Sequence, residues 1–113
     1  MNNAYQAGLL YELRAARYVR RRGYRLLNIR YRARDGEIDL IARDGDTIVF
    51  IEVKARPAGK LGAGVAAVTA DKRRRLRHAA DAYLSRKGLR DAPCRFDILE
   101  FSRAGIFYME NAF

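Results

Sequence analysis

Apolar residues recur along the chain at two intervals, and the switch between them predicts the elements. From Asn3 to Arg22 the interval is three to four. At about 100° per residue, Tyr5, Leu9, Leu13, Ala16 and Val19 share one arc of a helix, capped by Asn2 or Asn3 and stopped at Gly23. Glu12 sits in the middle of that arc, an unusual place for a carboxylate. Arg14, Arg17, Arg21 and Arg22 point elsewhere, with Tyr11 and Tyr18 beside them.

The interval then becomes two. "YRLLNIRYR" sets Leu27, Ile29 and Tyr31 against Asn28, Arg30 and Arg32, a strand with one wet face. Two further strands are predicted over Glu37–Arg43 and Thr47–Lys54, joined by a hairpin turn at Asp44–Asp46. The Gly- and Ala-rich "ARPAGKLGAGVAAV" predicts a mobile loop. Thr69 caps a second helix, "ADKRRRLRHAADAYLSRK", which Gly88 ends; Leu76, Ala79 or Ala80, and Tyr83 form its core stripe. "CRFDILEF" and "GIFYMEN" close the chain as strands around a Ser102–Gly105 turn. The predicted fold is α/β, in the order αβββαββ: a mixed sheet with a helix on each side.

Charges interrupt the hairpin's apolar runs, where each costs several kcal/mol unless compensated. Alternation puts Glu52 and Lys54 on the face of Ile48 and Phe50, opposite Thr47, Val49, Ile51 and Val53. On the preceding strand Ile38, Leu40 and Ala42 share one face and Asp39 lies on the other, with Ile41. A two-residue loop, Asp44-Gly45 or Gly45-Asp46, aligns the aliphatic rows and brings Asp39 to the face of Glu52 and Lys54. Gly45-Asp46 sets it directly opposite Glu52; Asp44-Gly45 sets it one diagonal away. A three-residue loop would strand Asp39 among aliphatic side chains. Two readings compensate the cluster. A divalent cation can relieve the repulsion between carboxylates, or a salt bridge among Asp39, Glu52 and Lys54 can do so without metal.

Composition narrows the partner. The 113 residues suffice for one core and carry a net charge of +10, from 23 basic and 13 acidic side chains. Such a balance favours polyanions, nucleic acid before an anionic membrane surface; its plainer use is solubility. No apolar run approaches the roughly 18 residues of a membrane helix, and the first residues lack a secretory pattern. Cys94 is the only cysteine, so no internal disulfide forms, and a cytoplasmic location is expected. Cys94 reads as packing at the head of a core strand, His78 as exposed, and Asp97 as a partner of Arg95 or a support for the sheet. Lysine occurs only at Lys54, Lys60, Lys72 and Lys87; every other basic residue is arginine.

"GEIDLI" followed by "FIEVKAR" resembles the acidic and E-x-K elements of the PD-(D/E)xK nuclease superfamily. With "GLLYE", "GYRLLNIRYR", "KRRRLRHAADAYL" and "RFDIL", nearly the whole chain is similar to the YraN-like family of small bacterial predicted endonucleases, related to archaeal-type Holliday-junction resolvases. Ile38 stands where the superfamily's name has Pro. The resemblance implies a single restriction-endonuclease-like domain over residues 1–113 and a Mg²⁺- or Mn²⁺-dependent phosphodiesterase. In it Asp39 and Glu52 would ligate the metal, with the Val53 carbonyl and Glu12 completing the set. Lys54 would assist the attacking water or stabilise the transition state. Arg56, Lys60, Lys72, Arg73, Arg74 and Arg75 fit a phosphate grip, the last four at a helix N-terminus that itself favours anions. Two functions are carried forward: a structure-selective endonuclease, on DNA rather than RNA, and a non-catalytic nucleic-acid-binding module on the same fold. A chain this small would span a branched substrate only as a homodimer.

Overall fold

A computed structural model describes residues 3–56 and 68–113, without the side chains of residues 3–7 and Arg56. The order is α1 (Asn3–Arg21), β1 (Arg25–Ala33), β2 (Gly36–Asp44), β3 (Thr47–Arg56), α2 (Ala70–Lys87), β4 (Cys94–Ser102) and β5 (Gly105–Met109), as predicted. The expected cap Asn2, the side chains of Asn3 and Tyr5, Lys60 and most of the predicted loop lie outside the described residues.

Strands β1 to β5 form one sheet in chain order. Only β3 and β4 run parallel; the other neighbours are antiparallel. A parallel step needs a crossover, which α2 supplies across one face. Leu76, Ala79, Ala80 and Tyr83 pack there on Ile38, Ile41, Ile48, Phe50 and Ile98. Ala15, Ala16 and Val19 of α1 cover the other face, over Leu40, Ala42, Val49, Ile51 and Leu99. With both its faces covered, β3 tolerates the nearly unbroken apolar run "TIVFIEV". A five-stranded mixed sheet between two helices is the α/β architecture of restriction-endonuclease-like folds.

Capping chemistry sets the ends of α2. Thr69 Oγ1 accepts the Lys72 N–H at 3.2 Å, and Gly88, at φ 69°, donates its N–H to the Leu84 and Ser85 carbonyls. On α1 the buried stripe is turned from its predicted position. Leu13 is 50% exposed, whereas Ala15 is fully buried, so the stripe centres on Glu12 itself. Cys94 is also corrected: it is exposed, not packed in the core. Asp97 is fully buried and accepts hydrogen bonds from Arg95 Nε, the Tyr108 hydroxyl and the Asn111 N–H. That set satisfies it, and its role is to fasten the sheet to the segment after β5. Among the described residues no helix is long and apolar enough to cross a membrane.

The hairpin takes the Gly45-Asp46 register, with Asp44 paired to Thr47 and Leu40 to Ile51. Gly45 alone of the two loop residues has positive φ (58°), the requirement of a type II′ turn. Regular alternation fails further from the turn. A bulge lies between Leu26 and Asn28, so Leu27 faces α2 while Ile29, two residues on, faces α1. Arg30 has φ 56°, and around it Ile29 and Tyr31 turn to opposite faces. The same break occurs opposite, across Asp39, where Leu40 faces α1 and Ile38 faces α2. The predicted wet face of β1 is therefore not continuous. Left-handed backbone at an arginine costs on the order of 1–3 kcal/mol, and this one marks the entrance to the charged cluster.

Candidate active site

The β2–β3 register, extended one step past Leu40 and Ile51, puts Asp39 opposite Glu52. The strand pairing stops at that step, and the Asp39 side chain takes over: its Oδ2 accepts the Val53 N–H at 2.8 Å. The carboxylate thus spans the two strands where their ladder ends. Val53 meets Asp39 through its N–H, a contact separate from the ligand role expected of its carbonyl.

Glu52 and Lys54 point toward α2, following Ile48 and Phe50. Glu52 is only 5% exposed. Lys72, from the first turn of α2, brings Nζ to 3.2 Å from Glu52 Oε2. It stands off the hydrogen-bonding direction, so this buried oxygen has no hydrogen bond among the described residues. Lys72 was expected to grip phosphate from outside and is instead in the cluster. A close approach makes this reach possible: a Cβ on Gly36 would stand 2.8 Å from the Arg75 carbonyl oxygen. Only glycine at the head of β2 lets α2 settle so near.

Glu12 reaches the cluster from the other layer. It is 8% exposed and ion-paired with Arg30 Nε. Its charge is also felt at Asp39. Sequence reasoning missed two members. Arg30 was placed on the wet face of β1, because its left-handed backbone leaves no trace in an alternating pattern. Glu100 was not singled out, yet it is fully buried and paired in register with Lys54 across β3–β4. Its signal was available: Glu100 continues the row of Phe96 and Ile98, as Glu52 continues that of Ile48 and Phe50.

Electrostatics follow from this crowding. Burial pushes the Asp39 carboxyl up to about 9, helped by the hydrogen bond and charge of Glu52 and opposed by the Val53 N–H. Burial also lowers Lys54 from the ordinary lysine value; Glu52 opposes the shift and neighbouring Lys72 adds to it. For Lys72 burial again works against the charge, but Glu52, Lys54 and Asp39 outweigh it and raise the group. The two lysines are therefore unlike, one inclined to give up its proton and the other to keep it.

No three Asp, Glu, His or Cys side chains among the described residues form a ready-made metal centre. Two carboxylates and a buried Glu52 oxygen without a hydrogen bond nevertheless suit Mg²⁺, which commonly takes one or two carboxylates and completes its shell with water and substrate phosphate. Of the expected phosphate grip, the Arg56 side chain and Lys60 lie outside the described residues. Arg74 and Arg75 are exposed, but both pair with Asp71. Arg73 is half-buried, its guanidinium 5.4 Å from the Phe113 ring centre. His78 is exposed, as expected.

Comparison with known proteins places this geometry in a family. A relative from Chromohalobacter salexigens, named UPF0102 protein, is 50% identical over 98 residues, 87% of this chain and 79% of its own length. The UPF0102 protein YraN of Salmonella arizonae is 41% identical over 110 residues, 96% of this chain and 84% of its own. A UPF0102 protein of Syntrophus aciditrophicus is 46% identical over 102 residues, 90% of this chain and 80% of its own. The sequence model described as "Uncharacterised protein family UPF0102" matches residues 11–101, from the turn of α1 that carries Glu12 to the end of β4, and the chain belongs to this YraN-like family.

Proposed function

We propose that the protein is a divalent-cation-dependent nucleic-acid phosphodiesterase, a structure-selective endonuclease acting on DNA rather than RNA. One observation carries the reading: Asp39 and Glu52 converge at the end of a strand ladder, and a buried Glu52 oxygen lacks a hydrogen bond. A fold has no structural need for so costly a pair.

Asp39 and Glu52 would hold Mg²⁺ or Mn²⁺, and Glu12, whose charge is felt at Asp39, would join them only by turning from Arg30. When bound, the cation supplies neutralisation of the phosphate charge and acidifies water. Lys54, inclined toward the neutral amine, takes the proton from the water that attacks phosphorus. Lys72, which keeps its charge, faces the negative charge that builds on the phosphoryl oxygens. Water's oxygen forms the new P–O bond as the bond to the leaving sugar oxygen breaks, and that oxygen takes a proton from solvent to leave as a hydroxyl. Glu100, next to Lys54 in register, positions the amine. The competing reading, a binding module without turnover, draws on the Lys72–Glu52 pair, which neutralises Glu52 without metal.

The test is cleavage of a panel of branched, nicked and single-stranded DNAs with Mg²⁺, by wild type and Lys54→Arg. Arg keeps the charge but cannot release a proton near neutral pH. Lys54→Arg is expected to melt like the wild type, still bind DNA, and cut more slowly by on the order of 10²-fold or more. Equal cutting by both would make Lys54 structural, and no cutting by the wild type would favour the binding module.

A further inference from the structure

Positive charge is concentrated a second time, on the α1 side of the sheet. Arg14, Arg17 and Arg21 recur at intervals of three and four and share one face of α1. All three are exposed, and none forms a salt bridge among the described residues. They border a groove of about 280 Å³ between α1 and the β4–β5 hairpin, with Tyr18, Phe101 and Ile106 as its other walls. Among the described residues no acidic side chain lines it. A second hollow of about 100 Å³ shares Arg14, Phe101 and Ile106 and extends the groove past Tyr11. Arg14 lies over the floor, its guanidinium 4.8 Å from the Phe101 ring centre. Arg17 and Arg21 have no ring contact among the described residues, so their donors face solvent.

The groove's position ties it to the candidate site. In the parallel register Lys54 pairs with Glu100, and the next pair is Ala55 with Phe101. The floor of the groove is thus one residue beyond the lysine, on the opposite face of the sheet. A polymer crossing the C-terminal ends of β3 and β4 would meet both.

We infer that this groove holds single-stranded nucleic acid, the strand continuing past the Asp39–Glu52 cluster, an inference that rests on the nuclease reading. Three arginines uncompensated by acid match a phosphodiester backbone and bind it through planar forks. A hollow of about 280 Å³ has room for a short stretch of one backbone and not for the bulk of a duplex. Half-buried Tyr11 and Tyr18, with exposed Ile106, offer ring edges and apolar surface to unpaired bases. A second copy of the chain suits the surface less. In a twofold contact the arginines would face their own counterparts, and among the described residues the exposed large apolar side chains are only Leu10, Leu13 and Ile106.

The test is fluorescence anisotropy in EDTA, with a labelled single-stranded oligonucleotide and a blunt duplex as probes. Arg17→Gln/Arg21→Gln, melting like the wild type, is expected to lose at least tenfold in affinity for the single strand. Its log–log salt slope should flatten by about 1.4, two contacts at about 0.7 each. Affinity for the blunt duplex should change less than twofold. Arg17→Lys/Arg21→Lys, which keeps the charge and loses the forks, should restore the salt slope but only part of the affinity, and it also controls for a folding defect. Unchanged single-strand binding in the Gln variant overturns the groove while leaving the nuclease reading intact. Failure of the wild type to bind any nucleic acid at low salt overturns both. A wild-type dimer that the Gln variant disperses would assign the groove to a second copy and overturn it too.

Discussion

Asp39 concentrates the site's conflict in one side chain. Its folded pKa of about 9 stands far above the ordinary carboxylate value of 3.8, so between them the folded state holds a proton that the unfolded chain has lost. Stability from this group is complete below about pH 4 and is lost as pH rises through about 9. Without metal, Asp39→Asn should therefore melt higher than the wild type at pH 8, with the difference shrinking toward pH 5. Thermal melts in EDTA across that range measure it. An Asn variant that is less stable at every pH would mean that Asp39 is charged and satisfied in the fold. The sequence exposed this residue because a charge in "GEIDLI" breaks an apolar row; Glu12 and Glu52 were legible for the same reason. Lys72 was not. Its part depends on a helix and a strand packing across the sheet; in "ADKRRR" it stands out as the one lysine before three arginines, but nothing there directs it to Glu52.

Elements place these residues, and their legibility differed with the origin of their geometry. Local chemistry defines α2, through Thr69 and Gly88, and the β2–β3 turn, through Gly45; all were readable from sequence. The irregularities of β1 were not, since the bulge beside Leu27 and the turned backbone at Arg30 answer to packing against two different layers. The face of α1 was misplaced for a related reason. Leu13 scores as core by residue type, yet the small Ala15 is what fits beneath the helix. Gly36 is the element-scale control on the site. Gly36→Ala would set a Cβ 2.8 Å from the Arg75 carbonyl oxygen and push back the first turns of α2, which carry Lys72. We expect a loss of about 1–3 kcal/mol, the usual scale of overpacking, and cleavage falling further than stability accounts for. Denaturant melts alongside single-turnover cleavage separate the two effects; a variant with wild-type activity would show that Lys72 does not depend on this contact.

For the whole molecule, net charge overstates the available grip. Of the basic residues at the start of α2, Lys72 faces Glu52, Arg73 lies against Phe113, and Arg74 and Arg75 share Asp71. The Arg74 hydrogen bond, followed by the Arg75 charge, holds the Asp71 carboxyl below its ordinary value, so it stays ionised at neutral pH. Asp71→Asn should free both arginines, tighten binding to duplex DNA at low salt, and steepen the log–log salt slope by up to about 1.8, at roughly 0.9 per phosphate. Titrations at several salt concentrations read this directly, and an unchanged slope would place the DNA path elsewhere.

The central claim is that Asp39 and Glu52 form a cation site, and calorimetric titration of Mg²⁺ or Mn²⁺ at pH 8 tests it most directly. Repeating it in buffers of different ionisation enthalpy counts the protons released. One saturable site is expected, with about one proton leaving Asp39 as the cation enters, and with neither heat nor proton release in Glu52→Gln. A wild type that takes up no divalent ion would contradict the claim, leaving Lys72 and Lys54 as the counter-charges that Glu52 requires.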